Sequence, residues 1–265
     1  MRSLVFNLFF YALTFGVALR VWFLGLRGDR DGMYRVLRYW GRTTLRAIEV
    51  ILRGRVEIRG LERIPESGPV LFAAKHQSEL DIVLLGLLMP HTGAIAMQEL
   101  ERYPFFGPIL RTLDVVLVPV SRGPQNRTES IVEGTARCFA QGRPMMIYPE
   151  GTLMRPGDRE RYRRGVGHLY TRLNPTVVPV ATSVGLIWPR RHWRKHAGRR
   201  GVIEFLEPIE PGLDFEAFME LIERTIEGES MRLVRESAPA DALAEAEARF
   251  EAAVAERGLS GRDAA

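Results

Sequence analysis

Pro69-Val70-Leu71-Phe72-Ala73-Ala74-Lys75-His76-Gln77-Ser78-Glu79-Leu80-Asp81-Ile82-Val83-Leu84-Leu85-Gly86-Leu87-Leu88-Met89-Pro90 is the stretch whose reading decides the fold. It opens with a short apolar run that predicts a buried strand and closes with one that predicts a buried helix stopped by Pro90. Between them lie His76 and Asp81. Were both in one helix, five steps of about 100° would set them roughly 140° apart around the axis. The chain therefore has to break between them, with His76 in the turn and Asp81 near the helix start. A strand-to-helix turn at the end of a sheet is where open α/β folds place their sites. A carboxylate that accepts from imidazole Nδ1–H fixes the tautomer and leaves Nε2 free as a base near neutral pH. The chain has no Gly-x-Ser-x-Gly turn, and its one cysteine, Cys138, falls in an amphipathic helix. The proton taken by His76 would then come from a substrate hydroxyl.

Downstream, the same pattern recurs. Val56–Ile58, Pro69–Ala74, Gly93–Met97, Val115–Val120, Met145–Tyr148, Thr176–Ala181 and Val202–Phe205 read as strands, separated by helical stretches. The fold class expected is α/β, a central mixed and largely parallel sheet of about seven strands flanked by helices. Three strand ends run into chemistry: His76 with Asp81, Ser121-Arg122-Gly123, and Pro149-Glu150-Gly151-Thr152. Arg122 can offer its planar fork to a phosphate. Gly151 can bring backbone N–H groups to a ligand beside the Thr152 hydroxyl, and Glu150 can accept from a glycerol-like hydroxyl. Thr128–Gln141 predicts an amphipathic helix with Val132, Ala136, Phe139 and Ala140 inward.

The 265 residues are 46% hydrophobic, enough for one sizeable core, and carry a net charge of +5. The excess is arginine, which suits phosphate or anionic lipid. Ser3 to Leu19 has no charge, and as a helix Ser3 to Leu26 would be about 36 Å long against a bilayer core of about 30 Å. Arg27, Arg30, Arg35 and Arg38 follow, which places the body of the protein on the cytoplasmic side. Tyr34–Leu52 repeats arginine at 35, 38, 42 and 46 opposite an apolar stripe. It reads as a basic amphipathic helix on an anionic membrane surface, or as a solvated face packed on the domain. The first segment either spans the bilayer or forms a hairpin with the second that enters one leaflet. Trp188–Arg200 interleaves Trp188 and Trp193 with six cations, a membrane-interface pattern in this context. The organisation expected is a membrane segment at 1–52, a catalytic domain at 53–236, and a peripheral helix and tail at 237–265.

With these residues in place, the chain resembles the glycerolipid acyltransferase family, in particular its bacterial 1-acyl-sn-glycerol-3-phosphate acyltransferases. The ordered blocks are His76-Gln77-Ser78-Glu79-Leu80-Asp81, Tyr103–Gly107 through Val118–Arg122, Tyr148–Thr152 and Val178–Ala181. The resemblance implies acyl transfer from acyl-CoA or acyl carrier protein to lysophosphatidic acid at the bacterial inner membrane, with no cofactor and no metal. His76 would be the general base, Asp81 its orienter, Arg122 a phosphate ligand, and Glu150, Gly151 and Thr152 part of the acceptor site. Two positions depart from the family pattern. Met97 stands where a lysine is usual, and Leu153 follows Glu-Gly-Thr where an arginine is usual. They leave open another lyso-lipid acceptor, such as a lyso-ornithine lipid, and a non-catalytic lipid-binding protein.

Overall fold

The structure is a computed structural model and describes residues 1–89, 91–103, 106–119 and 124–260. Its central strand, β2 (Val70–Ala74), is buried at all five positions. Successive side chains of a strand point to opposite faces, and here both faces are covered. Val70, Phe72 and Ala74 pack with Leu80, Val83 and Leu84, whereas Leu71 and Ala73 pack with Val166, Leu169, Phe218 and Ile222. Two-sided burial is why this strand reads as a continuous apolar run.

The remaining elements are α1 (Arg2–Leu26), α2 (Arg30–Ala47), β1 (Arg55–Arg59), α3 (Glu79–Leu88), β3 (Ile95–Met97), α4 (Phe106–Thr112), β4 (Val116–Val118), α5 (Pro124–Ala140), β5 (Met145–Ile147), α6 (Gly165–Leu173), β6 (Thr176–Thr182), β7 (Arg200–Phe205), α7 (Phe215–Ser237) and α8 (Ala240–Ser260). One sheet has the order β1-β7-β6-β2-β5, and β3 pairs with β4. A parallel bridge from Gly93 to Met145 joins the two. Within the strands only β6 and β7 run antiparallel to each other. The result is the mixed, largely parallel sheet expected, with five strands in its main part and the β3–β4 pair joined to it by that one bridge; α1, α2 and α3 lie on one face and α5, α6 and α7 on the other.

Several local expectations needed correction. Helix α6 was not anticipated, because Gly165 and Gly167 lower its propensity. Its packing overrides that: Val166, Leu169 and Tyr170 are buried, and a Cβ at Gly167 would meet the Phe215 ring at 2.5 Å. Tyr34–Leu52 is not one helix, since α2 passes into a wide π-helical turn at Ile48–Leu52 that ends on Arg53 at φ 53°. Ala140, expected inward, is exposed, and Cys138 occupies the buried face of α5.

The first 52 residues are built into the body of the protein. Phe6, Phe10, Ile48 and Leu52 belong to the same cluster as Phe72, Val178 and Phe205. The apolar stripe of α2 is consumed by protein as well: Val36, Leu37 and Trp40 pack on Val17, Val21 and Leu24 of α1, and Trp40 Nε1 donates to Thr14 Oγ at 3.0 Å. Only its arginine side, including Arg35, Arg42 and Arg46, stays exposed. Trp188, read as an interface tryptophan, is instead buried at 3% exposure, with its ring edge-on to Phe6 and Phe10. Trp193 is the exposed one and stacks on Tyr11. At the other end, α8 rests on α7 through Ala246, against Met231 and Val234.

Phe72 is 1% exposed, touches both β7 and the α3 side of the core, and stands edge-on to Phe205. Phe72→Ala is expected to cost about 3–5 kcal/mol through the cavity it leaves. The check is a lower denaturant midpoint at unchanged slope.

Candidate active site

The site is assembled by strand pairing. In the parallel pair β2–β5, Ala73 lies opposite Ile147. Three residues beyond each stand His76 and Glu150, so the two turns leave the sheet side by side. The backbone N–H of His76 donates to Glu150 Oε2 at 2.8 Å. The His76 carbonyl accepts from Met154 N at 2.7 Å. The 148–154 turn thus grips the His76 backbone from both sides.

Side-chain orientation comes from the start of α3. Ser78 Oγ accepts from Leu80 N at 3.0 Å, while Asp81 Oδ2 reaches back to accept from Ser78 N at 2.8 Å and Gln77 N at 2.7 Å. This is the reciprocal arrangement of a helix capping box, with aspartate in the third position. The same Oδ2 lies 3.2 Å from His76 Nδ1. Helix capping and imidazole orientation are therefore one interaction. The backbone bonds fix the carboxylate, and the carboxylate fixes the ring. Burial pushes the Asp81 carboxyl above its ordinary range, and His76 with the Ser78 and Gln77 N–H groups draws it part of the way back. The opposite side of the imidazole stacks on Tyr148, centroids 4.0 Å apart and planes 21° from parallel. Burial and the nearby Asp81 raise the Tyr148 phenol well above its usual value, so it stays neutral beside the ring. The His76 side chain keeps 13% exposure, whereas Asp81 is buried at 1%.

Glu150 is placed differently from the hydroxyl acceptor expected of it. It is 2% exposed and turned inward. Its Oε1 lies 2.5 Å from Lys75 Nζ. Lys75 in turn donates to Glu227 Oε1 and Oε2 at 2.7 and 2.8 Å and to the Asp158 carbonyl at 3.0 Å. Gly151 has φ +65°, and a Cβ there would fall 2.2 Å from Arg163 Nε, so the Arg163 side chain lies across the glycine. Thr152 is half-buried beside it. Arg122 lies outside the described residues. Arg155, the first cation after Glu-Gly-Thr, is engaged with Asp158 at 2.9 Å. Among the described residues no three His, Cys, Asp or Glu side chains could share a metal ion.

Sequence reasoning missed Lys75, Glu227 and Arg163. A signal existed for Glu227, which falls among the buried residues Ile222, Ile226, Ser230 and Met231 of α7, a place where an unpartnered carboxylate is costly.

Burial pushes the Glu150 carboxyl from 4.5 up to about 7, with Lys75 lowering it and Glu227 raising it. A carboxyl with a raised folded pKa holds a proton that the unfolded chain has already lost. Its stabilising contribution is therefore full below pH 4.5 and fades as pH rises through about 7. Relative to Glu150→Gln, the wild type should lose up to about 3 kcal/mol across that window. Denaturant unfolding of both proteins at a series of pH values would show two parallel curves if this is wrong.

The chain is similar to known proteins over the stretch that carries these turns. Residues 55–183 match the model of the Acyltransferase family. The 1-acyl-sn-glycerol-3-phosphate acyltransferase of Pseudomonas aeruginosa is 30% identical over 168 residues, 63% of this chain and 65% of that one. The enzyme of the same name from Cocos nucifera is 30% identical over 158 residues, 58% of this chain and 50% of that one. The alpha form from Ovis aries is 26% identical over 170 residues, 63% of this chain and 58% of that one. The matched stretch thus spans between half and about two thirds of these relatives. The crystal structure of the 1-acyl-sn-glycerophosphate acyltransferase PlsC from Thermotoga maritima superposes with a TM-score of 0.70 at 20% identity, covering 88% of this chain and 97% of that one; it shares the fold. Residues 55–183, which carry β1 to β6 together with His76, Asp81 and the 148–152 turn, are the part of the chain that matches the Acyltransferase family.

Proposed function

We propose that this protein transfers an acyl group from an acyl thioester, of coenzyme A or acyl carrier protein, to the free hydroxyl of 1-acyl-sn-glycerol-3-phosphate, giving phosphatidic acid. The observation that carries this reading is the His76–Asp81 pair at the open end of β2, held as a base is held, within an acyltransferase domain. The names of the relatives support the acceptor. His76 Nε2 takes the hydroxyl proton as that oxygen attacks the thioester carbonyl. The tetrahedral intermediate collapses, the C–S bond breaks, and the imidazolium returns its proton to the leaving thiolate. Asp81 stabilises the imidazolium in between.

For the head-group phosphate, Arg122 and Arg163 are the proposed ligands. The position of Arg163 across Gly151 supports its role, since it sets a guanidinium beside the turn where Leu153 supplies no charge. A second acceptor, a lyso-lipid without phosphate, is favoured by one observation: Met97, at the end of β3, is 54% exposed and offers no cation there.

Membrane association is part of the proposal. Helix α1 is long and apolar enough to cross a membrane, yet Phe6, Phe10, Val17, Val21 and Leu24 commit one side of it to the protein along most of its length. Its other side shows Leu4, Leu8, Phe15, Leu19 and Phe23. That arrangement supports entry into one leaflet from the cytoplasmic side of a bacterial inner membrane, with Arg35, Arg42 and Arg46 facing anionic lipid.

The test is acyl transfer by detergent-purified protein from a labelled acyl thioester, with lysophosphatidic acid and a lyso-ornithine lipid as parallel acceptors. Phosphatidic acid is expected from the wild type, and His76→Ala should lower its rate by about 10²–10⁴. Product from the ornithine lipid alone would overturn the acceptor, and none from either would overturn catalysis. Arg163→Met should raise KM for lysophosphatidic acid about tenfold with kcat held, as expected for one lost charge-assisted contact.

A further inference from the structure

We propose that Lys75 and Glu227 are positioning residues for the His76 base, holding the Glu150 carboxylate against the His76 backbone through a buried chain of charges. The inference rests on the acyl-transfer reading above. It begins with the alternation along β2. Leu71 and Ala73 face the α7 side of the sheet and Phe72 and Ala74 the α3 side. Carrying that alternation on, Lys75 goes toward α7, where it meets Glu227, and His76 toward α3, where it meets Asp81. Adjacent residues thus receive their partners from opposite faces of the sheet.

Lys75 is 2% exposed, and a buried ammonium persists only when paired. Burial lowers its affinity for a proton, and Glu150 and Glu227 more than restore it, leaving its pKa above the ordinary value. The ammonium sits between the two carboxylates, with Tyr162 Oη donating to Glu227 Oε1 at 3.0 Å. Glu150 uses one oxygen for Lys75 and the other for the His76 N–H. A movement of Lys75 therefore passes to the base through a single carboxylate. Glu227 holds Lys75 on the far side from Glu150, and it lies in α7, beyond residues 55–183 that match the family. Asp81 aims the ring; this chain sets where its backbone stands.

Glu227→Gln keeps the shape and removes the charge. Small displacements of a catalytic group cost rate rather than binding, so kcat should fall about tenfold with both KM values within about twofold. In protein labelled with 15N-histidine, the His76 Nδ1 resonance should shift or broaden, a change that a purely structural carboxylate would not produce. An unchanged kcat and an unmoved His76 resonance, even with a lower melting temperature, would overturn the proposal. Should Glu227→Gln fail to fold, Tyr162→Phe removes one bond to Glu227 and is expected to lower kcat about threefold with the same resonance change; no change in either would overturn it equally. If the wild type makes no phosphatidic acid, the acyl-transfer reading fails, and the histidine resonance still decides the positioning role.

Discussion

The parallel pairing of β2 with β5 is the constraint on which the rest depends. A parallel pair has no tight turn, so each strand must leave through a crossover, and the two crossovers start at the same edge of the sheet. Register then does what no local motif could. It sets His76 and Glu150 at equal distances past the opposed residues Ala73 and Ile147, which makes the 2.8 Å bond between them a product of alignment. The helices on both faces follow from the same pair. A strand buried on two sides needs two layers of cover, supplied by α1–α3 and by α5–α7.

A helix cap and a partner for a neighbouring imidazole are usually weighed as rival explanations of an Asp at a helix start. Here they coincide. The bonds from Gln77 and Ser78 N–H that satisfy the start of α3 also prevent Asp81 from turning away from His76. One buried carboxylate oxygen in this way accepts from the Gln77 and Ser78 N–H groups and holds the His76 ring.

The strands were legible because each is short, apolar and bounded by turn residues, and burial on both faces leaves an unbroken run to read. His76 and Asp81 were legible because their relation is local and their chemistry is narrow. What could not be read was set by distance in the chain. Lys75 stood in plain view beside His76, but its partner Glu227 is 152 residues on, and no periodicity in β2 names it. Glu150 was visible as a polar residue at a strand end; whether it faced substrate or the protein interior depended on the register of β5 and on Lys75. Helix α6 hid behind two glycines, of which Gly167 lies against the Phe215 ring. Likewise, the amphipathic pattern of α2 could not say whether lipid or α1 takes its apolar side, since both are equally apolar solvents for Val36, Leu37 and Trp40.

The part of the chain that is recognisable by similarity is smaller than the part that can hold its shape. Residues 55–183 bear the family's signature, but β7, whose Phe205 fills the core, comes after them and Phe6, Phe10 and Leu52 come before. The segment that presents an apolar surface outward is the same one that closes the core inward. The outward surface and the core are in this way lost or kept together: α1 cannot be removed without also taking Phe6 and Phe10 out of the interior beneath it.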